Sequence, residues 1–333
     1  MNMKNELMSI EDVNVLINLG RVLVLAGDEA LFAKLDVGNW IGGTIPCFMG
    51  ENGGEVNYTD LFVTDFTNTV TNFSIKAYDA GEITTTMLRD RYSKGFSYLL
   101  LPAFSEVHQS YALNTRDAPT LFDVPMMGWI TGVHLDNIAT KPPKVINGKT
   151  GVISGAKGLV LHCELNEGTY AEVDIVNIYE QRESDKITFQ EDSFSCSDCL
   201  INGVPANLAD YYKKHKIDVS LPLVANYSGA SINVSIEAID EEEKRVSFFA
   251  PVLRGQEYSI AKPIDDLYAT FSNALPQDIS DSLCSCNCIL NYANIKMENK
   301  LSGDYRGPFT FGEIAYVLVN QTLVTLSINN LND

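Results

Sequence analysis

The sequence predicts an α+β protein of two domains, each a mixed, largely antiparallel β-sheet with packed helices. Three observations lead there. Residues 21–26, 96–101 and 124–131 are short apolar runs closed by Gly27, Pro102 and Gly132, a pattern of buried strands rather than helices. Helical spacing is confined to short segments that begin at capping residues. A length of 333 residues with 45% apolar content supports two cores.

Taken in order, Ser9-Ile10-Glu11-Asp12 has the form of a capping box, and Val13, Leu16, Ile17 and Leu19 follow at nearly helical spacing, so a first short helix is expected. The run at 21–26 is a strand, and Asp28 caps a second helix through Lys34 that Gly38-Asn39 ends. Residues 40–46 form a strand whose Gly42-Gly43 implies close backbone approach or a bulge. Alternation at 55–66 and 72–78 around Thr67-Asn68-Thr69 predicts a hairpin. A helix over 83–92, a buried strand over 96–101, a Ser105-capped helix through Leu113 and a core strand over 124–131 follow. The Pro-, Gly- and Lys-rich stretch 141–158 reads as an internal loop before strands at 159–163 and 170–179. Beyond a junction over 190–203 come a helix at 207–215 and a strand–turn–strand at 231–253 around Asp240-Glu241-Glu242-Glu243. Pro263 opens a helix with Ile264, Leu267, Phe271 and Leu275 on one face. Residues 283–292 read as a strand and 291–304 as a polar loop.

Forty-three acidic against twenty-four basic residues give a formal charge of −19. Such a surface repels nucleic-acid phosphates and anionic lipid, so no nucleic-acid partner is expected. No run of about 18 apolar residues occurs, and Met1-Asn2-Met3-Lys4-Asn5-Glu6 lacks a signal-peptide core. The expectation is a cytoplasmic protein with no membrane insertion. Seven cysteines, an odd number, argue for reduced thiols over a disulfide framework.

The C-terminal part is organised around Gly307-Pro308-Phe309-Thr310-Phe311-Gly312-Glu313-Ile314 and Asn320-Gln321-Thr322-Leu323-Val324-Thr325-Leu326-Ser327-Ile328. The second segment alternates as a strand, and the first sets Glu313 behind Gly312, where the backbone can approach another group. In this order the stretch resembles the close of the C-terminal half of FIST sensory modules, which finish with a Gly, a Thr, a Gly-Glu-Ile and an Asn-Gln-Thr before a last strand. Gly42-Gly43-Thr44 resembles a strand of the FIST N-terminal half, with Pro46-Cys47-Phe48 standing where relatives have small residues and a Gly-Glu. Leu200-Ile201-Asn202-Gly203-Val204-Pro205-Ala206 is similar to the hinge between FIST halves, with Asn202 in place of its Asp. The similarity covers most of the chain and is strongest over residues 198–328.

The resemblance implies an N-terminal domain over 1–197, a C-terminal domain over 198–333, and a cleft between them for a small molecule, an amino acid among the candidates. It implies a non-catalytic sensory protein in signal transduction that, with no output domain attached, either passes its signal to a separate partner protein or works as a stand-alone binder. Thr310, Gly312, Glu313, Asn320 and Thr322, with Cys288 beside them, would form one wall of the cleft, and Gly43, Thr44, Gly128 and Thr131 the other. A neutral or cationic group is expected near Glu313, because an unpaired buried carboxylate is costly. FIST relatives carry an Arg soon after the Cys of this strand; Cys288-Ile289-Leu290-Asn291 has none, which implies a different ligand.

The residues also offer other chemistry. Cys196 and Cys199, with Cys286 and Cys288, offer four thiolates for a tetrahedral zinc. Against that, alternate cysteines on a strand share one face about 7 Å apart, which suits core packing better. Some FIST members are haem-containing gas sensors; His134 would be the axial ligand here, and a satisfied surface histidine is the plainer reading. Asp136, Glu82 and Glu313 are carboxylates available as general bases. No nucleophile elbow, local Ser–His–Asp order or phosphate-binding Gly-rich loop is present, so a thiol-dependent or hydrolytic enzyme stands as the alternative.

Overall fold

Neighbouring residues of one strand serve different cores. In Gly95–Pro102, Tyr98 and Leu100 join one apolar cluster while Leu99 and Leu101 join another. In Leu23–Gly27, Val24 and Ala26 join the first cluster and Leu23 and Leu25 a third. The strand period of two sends successive side chains to opposite faces. A run apolar throughout therefore belongs to a sheet covered on both sides.

The structure, a computed structural model, describes residues 5–183, 185–227 and 230–331. The first sheet runs in the order Asn5–Met8, Leu61–Asp65, Leu23–Gly27, Trp40–Thr44, Val145–Asn147, Val152–Ser154. The second runs Val317–Val319, Glu313–Ala315, Met126–Thr131, Gly95–Pro102, Gly158–Leu165, Val70–Tyr78. The third runs Thr169–Val176, Leu323–Asn330, Ser282–Cys288, Gly307–Thr310, Cys47–Gly50, Gly53–Val56. Each holds a single parallel pair and is otherwise antiparallel. One core lies among the three, with Ile41 and Phe62 from the first, Leu100 and Trp129 from the second, and Phe309 and Val324 from the third. Helices Ile10–Asn18 and Glu29–Phe32 cover the outer face of the first sheet, and Thr86–Arg89 and Glu106–Asn114 that of the second. Within residues 187–260, the middle section, a further six-stranded sheet, a three-stranded sheet and the helix Leu208–His215 share a separate core around Phe248 and Tyr258.

The α+β class with mostly antiparallel sheets and packed helices is what the chain adopts. The junction expected at 197/198 falls between the strands Ser193–Cys196 and Asp198–Ile201. Four of the five sheets combine strands from both sides of it, as where Met126–Thr131 pairs with Glu313–Ala315 and Thr169–Val176 with Leu323–Asn330.

Several elements differ from the sequence expectation. The hairpin around Thr67-Asn68-Thr69 does not form: Leu61–Asp65 pairs with Leu23–Gly27, and Val70–Tyr78 pairs with Gly158–Leu165 in another sheet. Strand alternation fixes which faces are apolar but not which partner is chosen. The loop at 141–158 contains a short hairpin, Val145–Asn147 with Val152–Ser154, added to the edge of the first sheet. The sixth helix begins at Leu267 under an Asp266 cap rather than at Pro263. The strand expected over 283–292 stops at Cys288 and turns into the helix Ile289–Ile295, because the Asn287 side-chain oxygen accepts from both the Cys288 amide and the Asn291 side chain.

Two glycines answer steric demands. A Cβ on Gly43 would lie 2.4 Å from the Trp129 ring and 2.7 Å from the Thr131 methyl, so the first sheet meets the second at that point only without a side chain. Gly312 has φ +152°, and a Cβ there would press on Leu318, Ile130 and the Asn320 amide.

Candidate functional site

The segment from 307 to 322 passes between two sheets in three steps. Gly307–Thr310 lies in the third sheet, Gly312 releases the chain, and Glu313–Ala315 and Val317–Val319 form the edge of the second. The next three side chains, all buried, then go to three destinations. Gln321 reaches the middle section, accepting from Ser235 and donating to Tyr179 and the Ser220 carbonyl. Thr322 turns back to Glu313. Asn320 lines a cavity.

Glu313 has no solvent exposure. Its carboxyl lies 2.8 Å from the Thr322 hydroxyl, 3.3 Å from the Thr322 amide and 3.2 Å from the Thr310 hydroxyl. Burial outweighs these donors and pushes the carboxyl up to about 8. The Thr310 hydroxyl has three acceptors in reach, the Asn287 and Gly312 carbonyls and Glu313, but a single proton to give. A neutral Glu313 resolves this: its O–H donates to Thr310, and Thr310 donates to a carbonyl.

The cavity, of about 180 Å³, lies in front of this network. Phe104, Phe194, Phe248, Phe311 and Leu290 supply much of its apolar wall, and Cys288, Asn320 and His108 its buried polar groups. His108 is placed by the helix Glu106–Asn114, whose cap Ser105 accepts from the His108 amide. Phe104, at φ 63° and half exposed, turns the chain from Gly95–Pro102 into that helix and meets Phe311 edge-on at 6.3 Å. A non-glycine residue held in this region is a strained position of the kind that collects at ligand sites.

Four atoms of the wall, Nδ1 and Nε2 of His108 and Oδ1 and Nδ2 of Asn320, are buried and have no hydrogen-bond partner among the described residues. Each unpaired group of this kind costs roughly 1–3 kcal/mol. Burial lowers the His108 imidazole to about 4, so it is neutral at physiological pH. No lysine or arginine lines the cavity, and its acidic residue is the exposed Glu237. A wider groove of about 590 Å³, lined by Glu172, Asp174, Asp278 and Asp281 among others, carries no such unpartnered side chain among the described residues.

The residues expected to form the site divide three ways. Asn320 and Cys288 line the cavity. Thr310, Glu313 and Thr322 form the network behind it, with Gly312 against Asn320, so Glu313 is satisfied by protein donors instead of presenting itself to a ligand. Gly43, Thr44 and Thr131 lie elsewhere, at the contact between the first and second sheets, and Gly128 lies inside the second sheet. Gly43 meets Trp129, Thr44 bonds the Lys144 backbone, Gly128 packs on Leu99, and Thr131 is buried beside Gly43. Their glycine and threonine pattern reflects close sheet packing. His108, Phe104 and Phe194 had no sequence signal beyond the Ser105 cap.

The four thiols weighed for zinc separate into different cores. Cys196 and Cys199 belong to the middle section, while Cys286 packs in the central core with its thiol 3.5 Å from the Gly128 carbonyl. Among the described residues no group of three or more His, Cys, Asp or Glu is placed to hold a metal ion. His134 caps the turn Leu135–Asn137 through its own Nδ1 and faces Asp136 at 3.5 Å. A buried chain of Ser97, His162, Tyr78 and Asp90, linked at 2.8 Å at each step, has the look of a nucleophile relay. It reaches none of the cavities described and reads as a satisfied core histidine.

No helix among the described residues is long and apolar enough to cross a membrane. A family described only as "Family of unknown function (DUF6976)" matches residues 8–329, and the chain belongs to it. No curated protein matches the chain.

Proposed function

We propose that this member of the family is a non-catalytic small-molecule-binding protein of the FIST sensory type, with its ligand in the cavity between Phe104, Phe194, Cys288 and Asn320. The observation that carries the reading is a partly open hollow, drawn from both sides of residue 197, whose wall holds the unpartnered His108 and Asn320 side chains. Largely preformed apolar pockets with a few convergent polar groups are the usual form of ligand sites. The non-catalytic part rests on Cys288: burial, with Glu313 beside it, holds its thiol far above the ordinary range, so it is no ready nucleophile. Gln321 bonds the middle section one residue from Asn320, which gives ligand occupancy a route to a signalling partner.

The test is mass spectrometry of small molecules released on denaturing the freshly purified protein, run beside Leu290→Trp, which fills the hollow. A compound released from the natural chain and absent from the variant is the expected result. Equal release from both, with the variant folded, refutes the placement.

A further inference from the structure

The polar atoms that line the cavity also restrict what it can hold. Resting on the ligand-binding reading above, we infer that the ligand is an uncharged single-ring molecule bearing a carboxamide or lactam edge, read by Asn320 and the His108 imidazole. An engineered apolar cavity of about 150 Å³ holds benzene, so about 180 Å³ accommodates one ring with a small substituent. The phenylalanine wall suits the ring faces and edges. Asn320 offers both an acceptor and a donor, and a neutral imidazole offers one of each. A carboxamide or lactam presents the matching donor and acceptor side by side.

Charge excludes the near relatives of such a molecule. A carboxylate here would be desolvated with no Lys or Arg in the wall to pair with it. An ammonium group at Asn320 would face two neutral side chains, with Glu237 exposed at the surface. A free amino acid carries both unfavourable groups, so it is the wrong class for this hollow.

The experiment titrates the intact chain at pH 7 with toluene, benzamide, benzoate and benzylamine, read by calorimetry and by the shift in melting temperature. Benzamide is expected to bind at least about tenfold tighter than toluene, because a site built around buried hydrogen-bonding groups rejects the analogue that lacks them. Benzoate and benzylamine should bind at least about tenfold more weakly than benzamide. Asn320→Leu should bring benzamide down to the level of toluene, and His108→Leu gives the same readout where the first variant does not fold. The ranking of the four probes on the natural chain needs no variant. Toluene binding as tightly as benzamide, or benzoate or benzylamine binding best, overturns the ligand class and leaves the ligand-binding reading standing. Silence from all four probes, toluene included, overturns the cavity as a ligand site and the class with it.

Discussion

Replacing Glu313 by Gln should remove a pH dependence from the stability of the whole fold. Burial holds the Glu313 carboxyl at about 8, against 4.5 for a free glutamic acid. The folded value is raised, so the stabilisation is fully present below pH 4.5 and is lost as the pH rises through 8. At about 1.4 kcal/mol per unit, the loss across that window is about 5 kcal/mol, of which about 3 kcal/mol is already incurred at pH 7. Gln keeps the hydrogen bonds of the neutral acid: its carbonyl accepts from Thr322 and its amide donates to Thr310. The assay is urea unfolding of both proteins at pH 5, 6, 7 and 8, followed by tryptophan fluorescence, since Trp129 and Trp40 are both buried. Every other titrating group is shared, so the difference between the two curves isolates Glu313. The variant should gain about 3–4 kcal/mol on the natural chain between pH 5 and pH 8. A difference that stays flat over that range refutes the claim that Glu313 is neutral in the fold.

Three further outcomes are expected. Burial lowers both His108 and His162 to about 4, so the unfolded chain takes up their protons first and stability falls as the pH drops from 6.5 towards 4; together with Glu313 this sets a maximum near pH 6.5, and His162→Gln should make the acid limb shallower, whereas an unchanged limb contradicts the assignment. Cys163, Cys284, Cys286 and Cys288 are buried with thiols pushed up, while Cys196 is partly exposed, so a thiol reagent at neutral pH should label Cys196 first and Cys288 only in denaturant; fast labelling of Cys288 in the native protein would favour the enzyme alternative. Gly43→Ala would put a methyl 2.4 Å from the Trp129 ring, and should lower stability in urea by about 1–3 kcal/mol; no loss would mean that the two sheets separate there at no cost.

What the sequence made legible was local. Ser9, Asp28 and Ser105 each cap the helix that they announced, because a capping side chain bonds a backbone amide two or three residues away and needs no tertiary information. The runs around Leu99 and Trp129 are buried strands, as unbroken apolar character requires. Pairing was not legible. Val70–Tyr78 alternates as a hairpin partner would, yet its partner Gly158–Leu165 lies some eighty residues on, and nothing in a strand's own residues names its neighbour. Of the candidate site, Asn320 and the Glu313 cluster fall within one contiguous motif, and Cys288 within the strand before it. His108, Phe104 and Phe194 were not, since each reaches the cavity from a different element.

The motif Asn320-Gln321-Thr322 shows why the site depends on one register. Gln321 sits at φ 50°, a conformation that a side chain seldom adopts. It is held there by Ser235 and Ser220 of the middle section and by Tyr179, which precedes it. Thr322, one residue on, is fixed by Glu313, and the Asn320 carbonyl accepts from Asn233. With its carbonyl and the next two residues tied, Asn320 is held at the cavity wall with its side-chain amide unpaired. A one-residue slip would put Gln321 at the wall and leave Glu313 without its best donor, so the unsatisfied amide is a consequence of bonds that the rest of the chain makes. Buried polar groups are ordinarily paired, and the proposed ligand would supply the partner that the Asn320 side chain lacks.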